Sequence, residues 1–229
     1  MTVLSIGGSI INKNGIIQID YLKRLGKLLS EYHLGIVVGG GFSARVYANA
    51  MKLLSNNEFL ADECAILSTK QNAMLLIAAI GKNVYPNAIN SFAKAREVYF
   101  SGKSVVMYGT IPGITTDTDS VLLAEALGSK KLINVSSVDG IYDKNPKEYK
   151  NARKLKTLTH DELIELANKN DNRLAGTNFV FDSVAAKIAK RSNIELHFVN
   201  EDTNEIKKAL DDKLHNGSVV KSNLRKLND

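Results

Sequence analysis

The sequence predicts an α/β protein: a largely parallel central β-sheet covered by helices on both faces. Three observations carry that prediction. Short apolar runs alternate with helical periodicities along the whole chain, three of these runs end in glycine-bearing loops, and several helix starts and stops are marked by capping residues.

The elements follow in order. "TVLSI" is an apolar strand that breaks at Gly7-Gly8-Ser9, and "DYLKRLGKLLSEY" repeats leucine at helical spacing. "GIVV" is the next strand; it runs into Gly39-Gly40-Gly41 and a helix starting near Phe42. After "LLSNNEF" comes a long helix, Leu60 to Ile80, apolar on more than one face and therefore expected to be buried. "NVYPNAI" reads as a strand ending at Pro86, "SFAKAREVYF" as a helix and "KSVVMYG" as a strand. The loop "TIPGITT" precedes the helix "DTDSVLLAEAL", which Gly128 closes. "KKLINV" is a buried strand entering the polar loop "SSVDG". The basic stretch "YDKNPKEYKNARKLKTL" reads as an excursion or flap, and Thr159 with Glu162 forms a capping box ahead of "LIELANK". The loop "NRLAGTNFVF", the helix "DSVAAKIAKRSN", the strand "IELHFVN", the helix "TNEIKKALDD" and the strand "GSVVKS" complete the chain.

The chain has 229 residues, 44% hydrophobic and 24% charged, the balance of a globular protein with a large core. One domain is expected. No segment is apolar for long enough to cross a bilayer, and the N-terminus lacks a secretory pattern, so the expected setting is the cytoplasm with no membrane partner. The single cysteine, Cys64, excludes an internal disulfide and reads as a small core residue, and the four scattered histidines offer no zinc-ligand spacing. A net charge of +6 suits an anionic partner, nucleotide or nucleic acid.

In an open parallel sheet, ligands bind beyond the carboxyl ends of the strands, so the three glycine loops converge on one edge. Each loop alone would also serve as a tight turn. Glycine lets backbone amides approach phosphate oxygens, and helix N-termini add partial positive charge there. Gly39, Gly41 and Ala44 match a dinucleotide fingerprint, but the acid that should end the next strand, Asp62, falls in helical sequence, so that reading fails. "SGKS" resembles the tail of a Walker A loop, yet Glu97 stands where its first glycine is required. Arg45 stands one turn into its helix, within reach of a phosphate at that helix's start. In "GTIPGITTDTD", the hydroxyls of Thr110, Thr115 and Thr116 suit a phosphate, and Asp117 and Asp119 suit a cation. Asp117 and Asp182 are also candidates for ordinary helix caps.

In this order, "IGGSI", "VVGGGFSAR", "QNAMLLIAA", "GTIPGITTDTDSVLLAEAL", "VDGIYDKNP" and "FDSVAAKIAKRS" resemble the amino acid kinase family over nearly the whole chain, and within it the archaeal-type UMP kinases. The resemblance implies a three-layer α-β-α sandwich of the amino acid kinase fold with a twisted, mostly parallel sheet. It implies a single domain over residues 1–229, with an acceptor-binding part to about residue 130 and an ATP-binding part from 131. By the same resemblance Gly7, Gly8, Ser9, Gly41 and Arg45 meet the ATP phosphates, while Ser136, Ser137, Tyr142 and Asn145 meet its nucleoside. Gly40, Asp62, Thr110, Ile111, Pro112, Gly113, Ile114, Thr115 and Thr116 bind UMP. Arg45, Asp117 and Asp182 are the implied catalytic residues, ATP and Mg2+ the implied cofactors, and a homohexamer the implied assembly.

The chain also departs from the family pattern. Ser5 stands where many members carry lysine; Ser136, Ser137 and Asn145 replace the usual Thr, Asn and Asp; and the "NRLAGTNF" loop lacks the usual serines. The reaction implied moves the γ-phosphoryl group of ATP to a phosphate oxygen of UMP, an acceptor already ionised at neutral pH, so no general base is required. The departures keep two alternatives in view: another small phosphate or carboxylate acceptor, or a nucleotide-sensing module without turnover. The basic runs "KKL" and "KNARKLK" lack the interleaved aromatics of a nucleic-acid platform, and no nucleic-acid partner is expected.

Overall fold

The computed structural model describes residues 1–146, 148–169 and 181–222. The strand β1 (Thr2–Ile6) is followed by a one-turn helix α1 (Gly8–Ile11), a small hairpin of β2 (Asn12–Lys13) and β3 (Ile16–Ile17), and α2 (Ile19–Leu29). Then come β4 (Leu34–Val38), α3 (Gly41–Ser55), α4 (Glu58–Ile80), α5 (Phe92–Phe100), β5 (Val105–Met107), α6 (Thr116–Leu127) and β6 (Lys131–Ser136). The remainder is β7 (Ile141–Tyr142), β8 (Lys154–Leu155), β9 (Thr157–Leu158), α7 (His160–Lys169), α8 (Ser183–Ser192), β10 (Glu195–Asn200), α9 (Thr203–Leu210) and β11 (Ser218–Val220).

Seven strands form the main sheet in the order β5-β4-β1-β6-β10-β11-β9. The first five run parallel, and β11 joins β10 antiparallel. From β1 the chain adds strands outward on one side, then returns to place β6 on the other. That reversal makes the β1/β6 junction the topological switch point, where a crevice opens beyond the carboxyl ends.

Alternation along the strands sorts the core into two layers. Val3, Val37, Leu132 and Leu196 face α5, α6, α7 and α8. Leu4, Ile6, Ile36, Ile133 and Val135 face α1, α2, α4 and α9. Ser5 and Asn134, paired across β1 and β6, occupy the first face at the ends of their strands. The same period that buries Val3 and Leu132 therefore presents two polar side chains to the start of α6.

Three expectations are corrected. The strand expected to end at Pro86 in "NVYPNAI" does not form: Val84 makes only an isolated bridge to Ser104, and Ile89, beyond Pro86, makes another to Met107. The long helix α4 is buried on one side only, where Ala61, Ala73, Leu76 and Ile77 lie. On its other side Leu67 is 61% exposed and Met74 57%. Asn56, in the left-handed conformation, turns the chain so that α3 packs along α4, and this pair leaves apolar surface that the described residues do not cover. Cys64 is half-buried rather than core. The loop "NRLAGTNF" lies outside the described residues.

Candidate active site

The first two glycine loops touch at the crevice. A Cβ on Gly8 would lie 2.2 Å from the Gly41 nitrogen and 2.3 Å from the Gly39 oxygen, so only glycine permits this approach. Gly41 has φ of +67° and opens α3. The Gly7 amide donates to Val135 O at 2.8 Å and that of Gly39 to Ile6 O at 2.9 Å, which ties both loops to their sheet edge. Ser9 lies in α1, at the mouth between them. Arg45 is exposed in the second turn of α3 and has no ion-pair partner among the described residues.

The start of α6 supplies the acids. Thr115 is its N-cap, accepting from the Thr118 amide at 3.2 Å, so Asp117 is not a cap but stands in the first turn. Its Oδ1 accepts from Asn134 Nδ2 at 3.0 Å and Ser5 Oγ at 3.5 Å, the two polar positions at the switch point. Burial, then the neighbouring charge of Asp182, raises its carboxyl from 3.8 to about 7. Asp182 caps α8, with Oδ1 accepting from the Val184 amide at 3.0 Å. Its Oδ2 accepts the Thr115 hydroxyl at 2.7 Å and also that of Thr118. The cap and a second task therefore coexist on one carboxylate.

The third loop is held from below. Asp119, fully buried, accepts the Thr110 amide at 3.2 Å and its hydroxyl at 2.6 Å, and burial raises this carboxyl to about 6. Asp62, on the second turn of α4, accepts the Gly113 amide at 2.8 Å. Between them Ile111 is exposed, Pro112 and Ile114 are half-buried, and Thr116 Oγ1 lies 3.5 Å from the Cβ position of Gly39. Residues 110–116 thus meet the glycine loops at one edge.

Beyond β6, Ser136 Oγ folds back onto Val138 in a tight turn and Ser137 is exposed. The Tyr142 hydroxyl donates to Asp139 at 2.7 Å, which raises the phenol to about 12, and Lys154 pairs with Asp139 at 2.5 Å. Asn145 bonds Glu148 within the excursion. A cavity of about 150 Å³ lies beside this segment, lined by Asp139, Asn200, Asp202, Glu205, Asn216 and Gly217. It opens past the end of β10, next to the crevice.

Thr69 and Asn72 of α4 received no role from the sequence, although Asn72 lies in the stretch "QNAMLLIAA". Both are buried, and both bond to glycine-loop backbone. Sequence reasoning also missed Ser5 and Asn134 as partners of Asp117, although their register positions on adjacent strands carry that signal.

Chemically, the crevice offers backbone amides to an anion, with the Arg45 guanidinium unpaired among the described residues and carboxylates at the starts of α6 and α8. This is an arrangement for positioning phosphates rather than for nucleophilic catalysis.

The Amino acid kinase family matches residues 1–200. A uridylate kinase of Thermococcus kodakarensis is 39% identical over 223 residues, covering 95% of this chain and 98% of its own length. One from Methanobrevibacter smithii is 40% identical over 200 residues, covering 86% and 88%. The crystal structure of uridylate kinase from Archaeoglobus fulgidus superposes with a TM-score of 0.84 at 34% identity, over 96% of this chain and 99% of that one. A UMP kinase from Bacillus anthracis shares the fold, with a TM-score of 0.78 at 19% identity.

Proposed function

Since this chain belongs to the amino acid kinase family, we infer that it transfers the γ-phosphoryl group of ATP to UMP, giving UDP and ADP. The observation that carries the reading is the closure of two glycine loops on one another at the switch point, with Arg45, unpaired among the described residues, on the helix that follows. The uridylate kinases that match over nearly their full lengths support the acceptor.

In this reading Gly7, Gly8, Ser9, Gly41 and Arg45 bind the ATP phosphates. Ser136, Ser137, Tyr142 and Asn145 bind its nucleoside, beside the 150 Å³ cavity. Gly40, Asp62 and residues 110–116 hold UMP. The part up to about residue 130 serves the acceptor and the part from 131 serves ATP. The attacking oxygen belongs to the UMP phosphate and is already ionised. The protein therefore has no proton to remove and contributes alignment and charge stabilisation.

Asp117 and Asp182 suit a Mg2+ ion carried in by the nucleotide. Among the described residues no group of three or more metal-ligating side chains exists, and this cation usually takes one or two carboxylates together with substrate phosphates. Burial and the Asp182 charge also make added positive charge favourable at Asp117. When bound, the ion neutralises charge on the phosphates. The carboxylates orient from the protein side: Ser5 and Asn134 fix Asp117, while Thr115 and Thr118 fix Asp182.

We also propose a cytoplasmic homo-oligomer, a homohexamer by the resemblance. The uncovered face of α3 and α4 supports an interface there: Leu53 is 87% exposed and Leu54 86%, with Tyr47, Phe59, Leu67 and Met74 also exposed. Purified protein given ATP, Mg2+ and UMP tests the activity. UDP formation is expected, and nucleotide binding without UDP would leave a sensing module instead.

A further inference from the structure

The helix α4 carries three polar groups toward the site: Asp62, Thr69 and Asn72. Their spacing of i, i+7 and i+10 collects them on one face, and each bonds to a loop that follows a strand. Asn72 is 3% exposed. Its amide nitrogen donates to Gly39 O at 2.8 Å and to Gly40 O at 3.1 Å, two successive backbone carbonyls. Thr69 Oγ donates to Ile66 O at 2.6 Å, and that fixes its lone pairs to accept the Gly109 amide at 2.9 Å.

Fixing successive carbonyls has a consequence for the opposite side of the chain. In a trans peptide the C=O and the following N–H point in opposite directions. Holding Gly39 O and Gly40 O on the Asn72 amide therefore turns the N–H groups of Gly40 and Gly41 to the side away from Asn72. The Gly8 Cβ position lies 2.2 Å from the Gly41 nitrogen and 2.3 Å from the Gly39 oxygen, so the first glycine loop packs directly on the segment whose carbonyls Asn72 holds. A buried side chain thus sets the direction of two backbone donors in the second glycine loop.

We propose that Asn72 and Thr69 are positioning residues for phosphoryl transfer. Asn72 orients the Gly40 and Gly41 amides, and Thr69 anchors the loop beginning at Gly109 to the same helix, so that donor and acceptor loops share one rigid support. This assignment rests on the phosphoryl-transfer reading above. It adds that the precision of the glycine loops originates in α4.

The test uses the full-length protein carrying Asn72→Leu, which keeps the volume and removes the donors, and the pair Thr69→Val and Thr69→Ser. Asn72→Leu should lower kcat about 100-fold, the cost of a loop displaced by about 1 Å, with a smaller change in either KM. Exchange of the Gly39 amide should accelerate while amides inside β1 and β6 stay protected. Thr69→Val should lower kcat and speed exchange at Gly109, and Thr69→Ser, which retains the hydroxyl, should restore both. Wild-type kcat and wild-type Gly39 and Gly109 exchange in the variants would overturn the proposal. So would a loss of activity matched by faster exchange throughout the sheet. Should Asn72→Leu not fold, the Thr69 pair decides. Exchange needs no acceptor, so the positioning claim stays testable even if UMP is not the substrate.

Discussion

The hydroxyl of Thr115, the cap of α6, donates at 2.7 Å to Oδ2 of Asp182, the cap of α8. One bond thereby joins the segment assigned to the acceptor with the segment assigned to ATP, at the edge where the glycine loops meet. Asp182→Asn retains an acceptor for the Val184 amide and should leave stability close to wild type. Removing its charge should lower kcat about 100-fold. Asp182→Ala should add a loss of about 1 kcal/mol from the missing cap. Thermal melts and steady-state rates on both variants separate the two tasks.

Arg45 is exposed and unpaired among the described residues, so its removal takes away no packing or ion pair. Arg45→Ala should reduce kcat by about 10²- to 10³-fold, as for loss of a donor to developing charge, with an unchanged melting temperature. Equal losses of stability and activity would count against its assignment.

Asp117 is held above its ordinary value, so the folded protein keeps this proton up to about pH 7 while the unfolded chain releases it near 3.8. The folded state binds more protons across that window. Stability from this group is therefore present at low pH and lost as pH rises from about 4 to 7. Without nucleotide or metal, Asp117→Asn should raise the melting temperature at pH 8 and change it little at pH 4. A uniform shift at both pH values would contradict the linkage.

The histidine pair titrates in the opposite sense. Gly217 N–H donates to His215 Nδ1 at 3.1 Å, His215 Nε2 lies 2.8 Å from His197 Nδ1, and His197 Nε2 lies 2.9 Å from Glu195. These contacts suit two neutral rings, and burial holds His197 down to about 4 and His215 below its ordinary value. Stability from the pair is complete above pH 6.5 and is lost as pH falls toward 4. His197→Gln should flatten the acid limb of a melting-temperature profile between those values.

Much of this architecture was legible because local chemistry marks it. Gly7, Gly39 and Gly128 punctuate strands and a helix, and Thr159 and Glu162 form the expected box, with the Thr159 amide donating at 2.7 Å. What escaped was non-local. The strand β9 enters the sheet by pairing with β11 across a long stretch of chain, and nothing in "TL" announces it. The α4 side chains at 69 and 72 announce nothing locally, because the Gly109 amide and the Gly39 and Gly40 carbonyls they bond lie far away in sequence. Conversely, "NVYPNAI" has the composition of a strand up to Pro86, yet before that proline only Val84 bridges to its neighbour, as an isolated pair with Ser104.

In the proposed homo-oligomer the apolar face of α3 and α4 should be covered. Leu53→Glu with Leu67→Glu places charges where burial would leave them unpaired. Sedimentation of the double variant should show a smaller species than wild type, and an unchanged assembly would move the interface elsewhere.

The most direct measurement is a rate comparison with ATP and Mg2+ across UMP, CMP, dTMP and isopentenyl phosphate as acceptors. The account predicts UDP as the product formed with the highest kcat/KM. A clear preference for any other acceptor, or nucleotide binding with no UDP, would contradict it.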